Sequence, residues 1–105
     1  MVQKLRVIVR VDLDTGSASI KVLGKLDGHT LIGLYSLIRR TSSITPGLTV
    51  EVDLRRAAAE PAALADLHET CAAGHLPARV DPRLSDCRLL VLEPNLDGSA
   101  VQLSA

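Results

Sequence analysis

The sequence predicts an α/β fold in which a mixed β-sheet of four or five strands carries helices mainly on one face. Three observations lead there. The chain opens with period-two alternation in "KLRVIVRVD" and again in "SASIKV", the pattern of strands with one covered face. After Asp27 the apolar period changes to that of a helix. Strand-like and helix-like segments then alternate along the chain, the order that lays helices against a sheet.

Leu5, Val7, Val9 and Val11 share one face of the first segment, with Lys4, Arg6, Arg10 and Asp12 dominating the other. "DLDTGS" supplies turn residues, and Ala18, Ile20 and Val22 resume the alternation, so an antiparallel hairpin is expected. Next, Leu31, Leu34, Tyr35 and Ile38 recur at helical spacing. Asp27 or Thr30 can cap that helix by accepting N–H bonds its first turn leaves free, and Arg39 and Arg40 suit its last turn. "TSSITPG" breaks the element, and Leu48, Val50, Val52 and Leu54 alternate as a strand.

In the second half, Pro61 fits a helix start, "AALADLHETCAA" continues it with Leu64, Leu67 and Cys71 at core spacing, and Gly74 stops it. "HLPARVDPRLSDC" reads as an irregular connection with a short extended piece at Ala78 to Val80. "RLLVLE" is a continuous apolar run that fits a strand covered on both faces. The tail predicts a turn at Asp97-Gly98 and a short strand from Val101 to Leu103. Helical crossovers make the later strand pairings parallel. Residues 1–105 read as a single domain, with no internal repeat and no linker.

Composition bounds the function. A chain of 105 residues can bury roughly two-thirds of its unfolded surface without metal or disulfide. Tyr35 is its one aromatic residue, so Leu, Ile, Val and Ala must fill the core. Twelve basic residues balance twelve acidic ones, leaving no net field to gather nucleic acid, and base-stacking aromatic platforms are missing. Apolar runs fall short of a membrane span and of a signal-peptide core, so the protein is expected in the cytoplasm with its two cysteines reduced.

Asp27, His29 and Thr30 sit at a strand-to-helix junction, where rigid elements hold polar groups near the surface. Asp27 reads first as a cap, His29 as a loop histidine, and Arg55 and Arg56 as post-strand charges able to meet an acidic partner or anionic ligand. His68, Cys71 and His75 share a helix face, with Cys87 as a conceivable fourth zinc ligand, but Cys71 continues the apolar stripe and Gly74 interrupts the helix before His75. Neither a phosphate loop nor a paired-carboxylate signature is found, and "DTGS" is better read as a hairpin turn, so neither a metal, a cofactor nor catalysis is expected.

"IKVLGKLDGHTLIGLYSLI", followed about ten residues later by "LTVEVDL", resembles the STAS domain, named for sulfate transporters and anti-sigma factor antagonists. In that family a strand ends in Gly-x-Leu-Asp and a Thr soon follows as the first helix begins, matching Gly24, Leu26, Asp27 and Thr30. The family's next strand ends in Asp-Leu, matching Asp53 and Leu54, so the resemblance covers residues 5 to 54. It implies a STAS-like regulatory module that binds a protein partner, such as an anti-sigma factor or kinase-like regulator, in a signalling pathway.

The bacterial antagonists of that family carry a phosphorylated Ser or Thr at the start of the second helix. Added charge there alters the fit to a docked protein. The matching segment here is Glu60-Pro61-Ala62-Ala63-Leu64, and residues 54 to 69 contain neither Ser nor Thr. The expected binding surface therefore comprises Asp27, His29, Thr30, Arg55, Arg56, Glu60 and Ala62, without the usual phosphoacceptor. The alternative is a sensory module holding a small molecule at the sheet's end. A small apolar domain can also pair with itself as a homodimer, although composition names no interface.

Overall fold

A computed structural model describes residues 5–44 and 47–94. The elements are β1 (Arg6–Asp12), β2 (Ser17–Leu26), α1 (Gly28–Ser42), β3 (Thr49–Asp53), β4 (Ala57–Ala59), α2 (Pro61–Ala73) and β5 (Arg88–Leu92). Strand order is β1-β2-β3-β5, with β4 paired to β2. β1 runs antiparallel to β2, whereas β3 and β4 run parallel to β2 and β5 runs parallel to β3. The mixed five-stranded sheet with two helices packed against it is the α/β architecture the patterning predicts.

Local chemistry explains the boundaries. Asp12 Oδ1 accepts the Asp14 N–H at 3.0 Å, and Gly16 takes φ 67°, which lets the chain reverse between β1 and β2. α2 begins with Pro61, whose missing N–H costs nothing there, and ends at Gly74 in the left-handed region, φ 77°.

The core lies between the sheet and the helices. Ile20 and Val22 of β2, Val50 and Val52 of β3 and Leu89 of β5 meet Leu31, Leu34, Tyr35 and Ile38 of α1 and Leu67 of α2. Tyr35 is fully buried, so its hydroxyl needs a partner: it donates to Asp66 Oδ1 at 2.9 Å and lies 3.0 Å from Thr70 Oγ1. That polar contact joins the two helices through the apolar layer. It also explains why α2 buries Ala63, Leu67 and Thr70, while Leu64 and Cys71 of the expected stripe are only partly covered.

Three expectations are corrected, and one strand is added. β1 is not covered on one side: all seven residues are exposed, because α1 packs on β2 and β3 and α2 on β5, leaving Val7, Val9 and Val11 beyond their cover. Among the described residues, β5 is an edge strand covered on one face, with Leu89 buried and Leu90 54 % exposed, because the helices occupy a single side of the sheet. Ala78 to Val80 forms a turn rather than an extended piece: the Val80 N–H bonds Pro77 O, and Asp81 accepts the Arg83 and Ser85 N–H groups just beyond. β4 was not anticipated, since its three alanines carry no strand signature. The turn and strand expected after residue 96 lie outside the described residues. Among the described residues, no helix is long and apolar enough to cross a membrane.

Candidate binding surface where two helices begin

The parallel strands β2, β3 and β5 all point their carboxyl ends toward one edge of the molecule, and both helices start there. Open α/β sheets present their ligand sites on that edge. How the chain brings the two starts together depends on β4. Lys21 stands beside Asp53 and Gly24 beside Ala57, so four steps along the β3–β4 segment run alongside three along β2. The extra residue is accommodated at Leu54 to Arg56, in the manner of a bulge. β4 then carries the chain beside the end of β2, with Leu26 opposite Ala59 and the Glu60 N–H bonded to Leu26 O at 2.9 Å.

α1 starts on a reciprocal cap. Asp27 Oδ1 accepts the N–H groups of His29 at 3.0 Å and Thr30 at 2.9 Å, while Thr30 Oγ1 accepts the Asp27 N–H at 2.9 Å. Thr30 Oγ1 also donates to Lys25 O at 3.0 Å, tying the cap to β2. The hydrogen bond from the Thr30 backbone is the foremost reason the Asp27 carboxyl is held below its usual range; partial desolvation opposes it. Asp27 is therefore a cap, and the Thr30 hydroxyl is committed to the backbone.

α2 starts differently. Its N-cap residue Glu60 makes no side-chain capping bond, and its carboxylate lies 3.7 Å from Lys25 Nζ instead. That exposed pair contributes little stability, but it bridges the end of β2 and the start of α2. Pro61 and Ala62 are exposed beside it.

Arg55 and Arg56 have different roles. Asp53 is buried, and the Arg55 guanidinium closes on it with Nε to Oδ1 at 3.1 Å and Nη2 to Oδ2 at 3.0 Å. Asp53 Oδ1 also accepts the Arg55 N–H at 3.0 Å. These bonds, the Arg55 side chain first, hold the Asp53 carboxyl below its usual range, and the same pairing raises the Arg55 pKa. Arg55 thus braces the turn between β3 and β4. Arg56 is exposed with no ion-pair partner among the described residues, as is the His29 side chain.

The sequence-predicted residues thus gather on one edge, at the two helix starts and the β3–β4 turn. Sequence reasoning missed two contributors, Lys25 and Asp53, as functional supports. Asp53 carried a signal, since a carboxylate two residues before an arginine can fork to it across a turn.

The His/Cys set is not assembled. His68 Nε2 pairs with Glu93 at 3.0 Å, Cys71 Sγ donates to Leu89 O at 3.0 Å, and the His75 ring bonds Leu76 O. Among the described residues, no three potential ligands are grouped for a metal. Cys87 is buried, which pushes its thiol pKa up and leaves it a poor nucleophile. Both cysteines line an open cleft of about 580 Å³ with Thr49 and Arg88, at the amino ends of β3 and β5 and away from the helix starts.

A scan against protein-family models finds no match to this chain, and a search of curated proteins finds none either. The architecture is consistent with a STAS-like fold; it does not itself assign the family.

Proposed function

We propose that this chain is a noncatalytic, STAS-like regulatory module of the cytoplasm that binds a protein partner where α1 and α2 begin, without a phosphoacceptor to switch it. The observation that carries this reading is the β2–β4 pairing, which sets the start of α2 beside the capped start of α1. Rigid elements thereby fix a surface on which His29, Arg55, Arg56 and Ala62 are exposed, with Asp27 and Thr30 closing the start of α1 and Asp53 holding the Arg55 guanidinium in place. Proteins of the anti-sigma factor or kinase-like type are the partners the resemblance suggests.

Two features favour an unswitched surface. No hydroxyl lies between residues 54 and 69, and the Thr30 hydroxyl is engaged with Lys25 O and the Asp27 N–H. A phosphoryl group on Thr30 would break the cap that orders the helix.

Affinity capture from source-cell extract tests the proposal when run with two variants. Ala62→Asp places a charge on the proposed surface, and Leu84→Asp places one on the connection between α2 and β5. Loss of a stoichiometric protein with Ala62→Asp and its retention with Leu84→Asp support the reading. Equal capture by both variants, or capture of no specific protein, contradicts it.

A further inference from the structure

β1 ends the sheet, and among the described residues nothing pairs with its outer edge. Its ladder with β2 runs unbroken from Arg6 to Asp12, and none of its seven residues is proline. Natural proteins usually blunt such an edge, because its free N–H and C=O groups template another strand. Here Val7, Val9 and Val11 lie opposite buried Val22, Ile20 and Ala18, on the side that carries the helices, yet they remain 36–40 % exposed. The apolar layer is left open along one side.

We propose that this edge is covered by β1 of a second copy, paired antiparallel about a two-fold axis through Val9. The charges of the strand select both the occupant and the register. With Val9 opposite Val9, Val7 faces Val11, Arg6 faces Asp12 and Ile8 faces Arg10, each twice by symmetry. The valine stripes of the two copies merge on the helix side, and two opposite-charge pairs form on the bare side. Sliding the strands by two residues in either direction loses this match: one slip sets Arg6 against Arg10 twice, and the other sets Arg10 against itself. Odd slips place the valines of one copy on the bare face of the other. Neither Arg6 nor Asp12 has an ion-pair partner among the described residues.

β5, the opposite edge among the described residues, lacks this property, since Arg88–Leu92 holds no acidic residue and self-pairing about Leu90 forms no opposite-charge pair. None of the residues named at the starts of α1 and α2 belongs to β1, so this pairing can fail or hold independently of partner binding.

Sedimentation velocity of the purified chain from about 1 µM to about 1 mM tests the inference. A reversible monomer–dimer equilibrium is expected. Arg6→Glu should weaken it about tenfold, because two attractive cross-strand pairs become repulsive. Asp12→Asn keeps the turn acceptor and removes the charge, so it should weaken pairing by less. Arg6→Glu combined with Asp12→Lys should restore most of the loss, with thermal melts showing that each variant is folded. If the double variant is unfolded, the first two variants and slowed amide exchange at residues 6–12 in the dimer decide the matter. A chain that stays monomeric throughout, or a dimer indifferent to Arg6→Glu, overturns the proposal.

Discussion

Asp53 and Arg55, two residues apart, form a fork across the turn between β3 and β4, with Nε–Oδ1 and Nη2–Oδ2 separations of 3.1 and 3.0 Å. The pair converts a one-residue mismatch in the strand ladder into a fixed turn, and the direction in which α2 starts follows from it. Replacing Arg55 by Met should raise the Asp53 pKa toward or above that of an ordinary carboxylate, because the opposing charge and two hydrogen bonds go while burial remains. A carbon-detected NMR titration of the Asp53 carboxyl would read this directly. An unchanged pKa would mean that the fork does not persist in solution.

Asp27 and Asp53 together predict how stability depends on pH. Both carboxyls are held below their ordinary value in the folded chain. Each therefore contributes stability that is complete above the unfolded value, near pH 4, and is lost as pH falls through the lower folded value. Melting temperature should decline below about pH 4 in the wild type. The decline should be shallower in Asp53→Asn, which has no charge at that position to lose.

The cap at α1 makes a sharper distinction between substitutions. Asp27→Ala removes the acceptor for the His29 and Thr30 N–H groups and should lower the melting temperature by about 4–8 °C. Asp27→Asn keeps a side-chain oxygen and should lose much less. Equal losses in a thermal melt would show that charge, rather than capping geometry, is what the helix start requires.

Tyr35→Phe should cost about 1 kcal/mol in denaturant unfolding at neutral pH, since it leaves the buried Thr70 hydroxyl without its tyrosine partner. Combining it with Thr70→Val should recover part of that loss, because both polar groups are then gone. Strict additivity of the two changes would argue against a coupled contact between α1 and α2.

Much of this was legible in the chain. The period change at Asp27, the stripe from Leu31 to Ile38, and Pro61 and Gly74 as bounds of α2 are local signals, and local hydrogen bonding decides such boundaries. The covering of a strand was not legible. Val7, Val9 and Val11 alternate as cleanly as Ala18, Ile20 and Val22, yet only the latter lie under a helix, and helix placement over a sheet is a global outcome. β4 escaped for the opposite reason, since Ala57–Ala59 are held by register with Gly24–Leu26 and not by their own propensity. At the candidate surface, residue positions could be read but commitments could not. Arg55 and Arg56 are adjacent and alike in sequence, and only the fold reveals that one is braced by Asp53 while the other is free of ion pairs among the described residues.

Native mass spectrometry of complexes recovered from source-cell extract, comparing the wild type with Ala62→Asp, tests the proposed role most directly. The account predicts a defined complex of this chain with a protein partner for the wild type, and its loss in the variant. A stoichiometric small molecule with no protein partner, or a complex that survives Ala62→Asp unchanged, would contradict it.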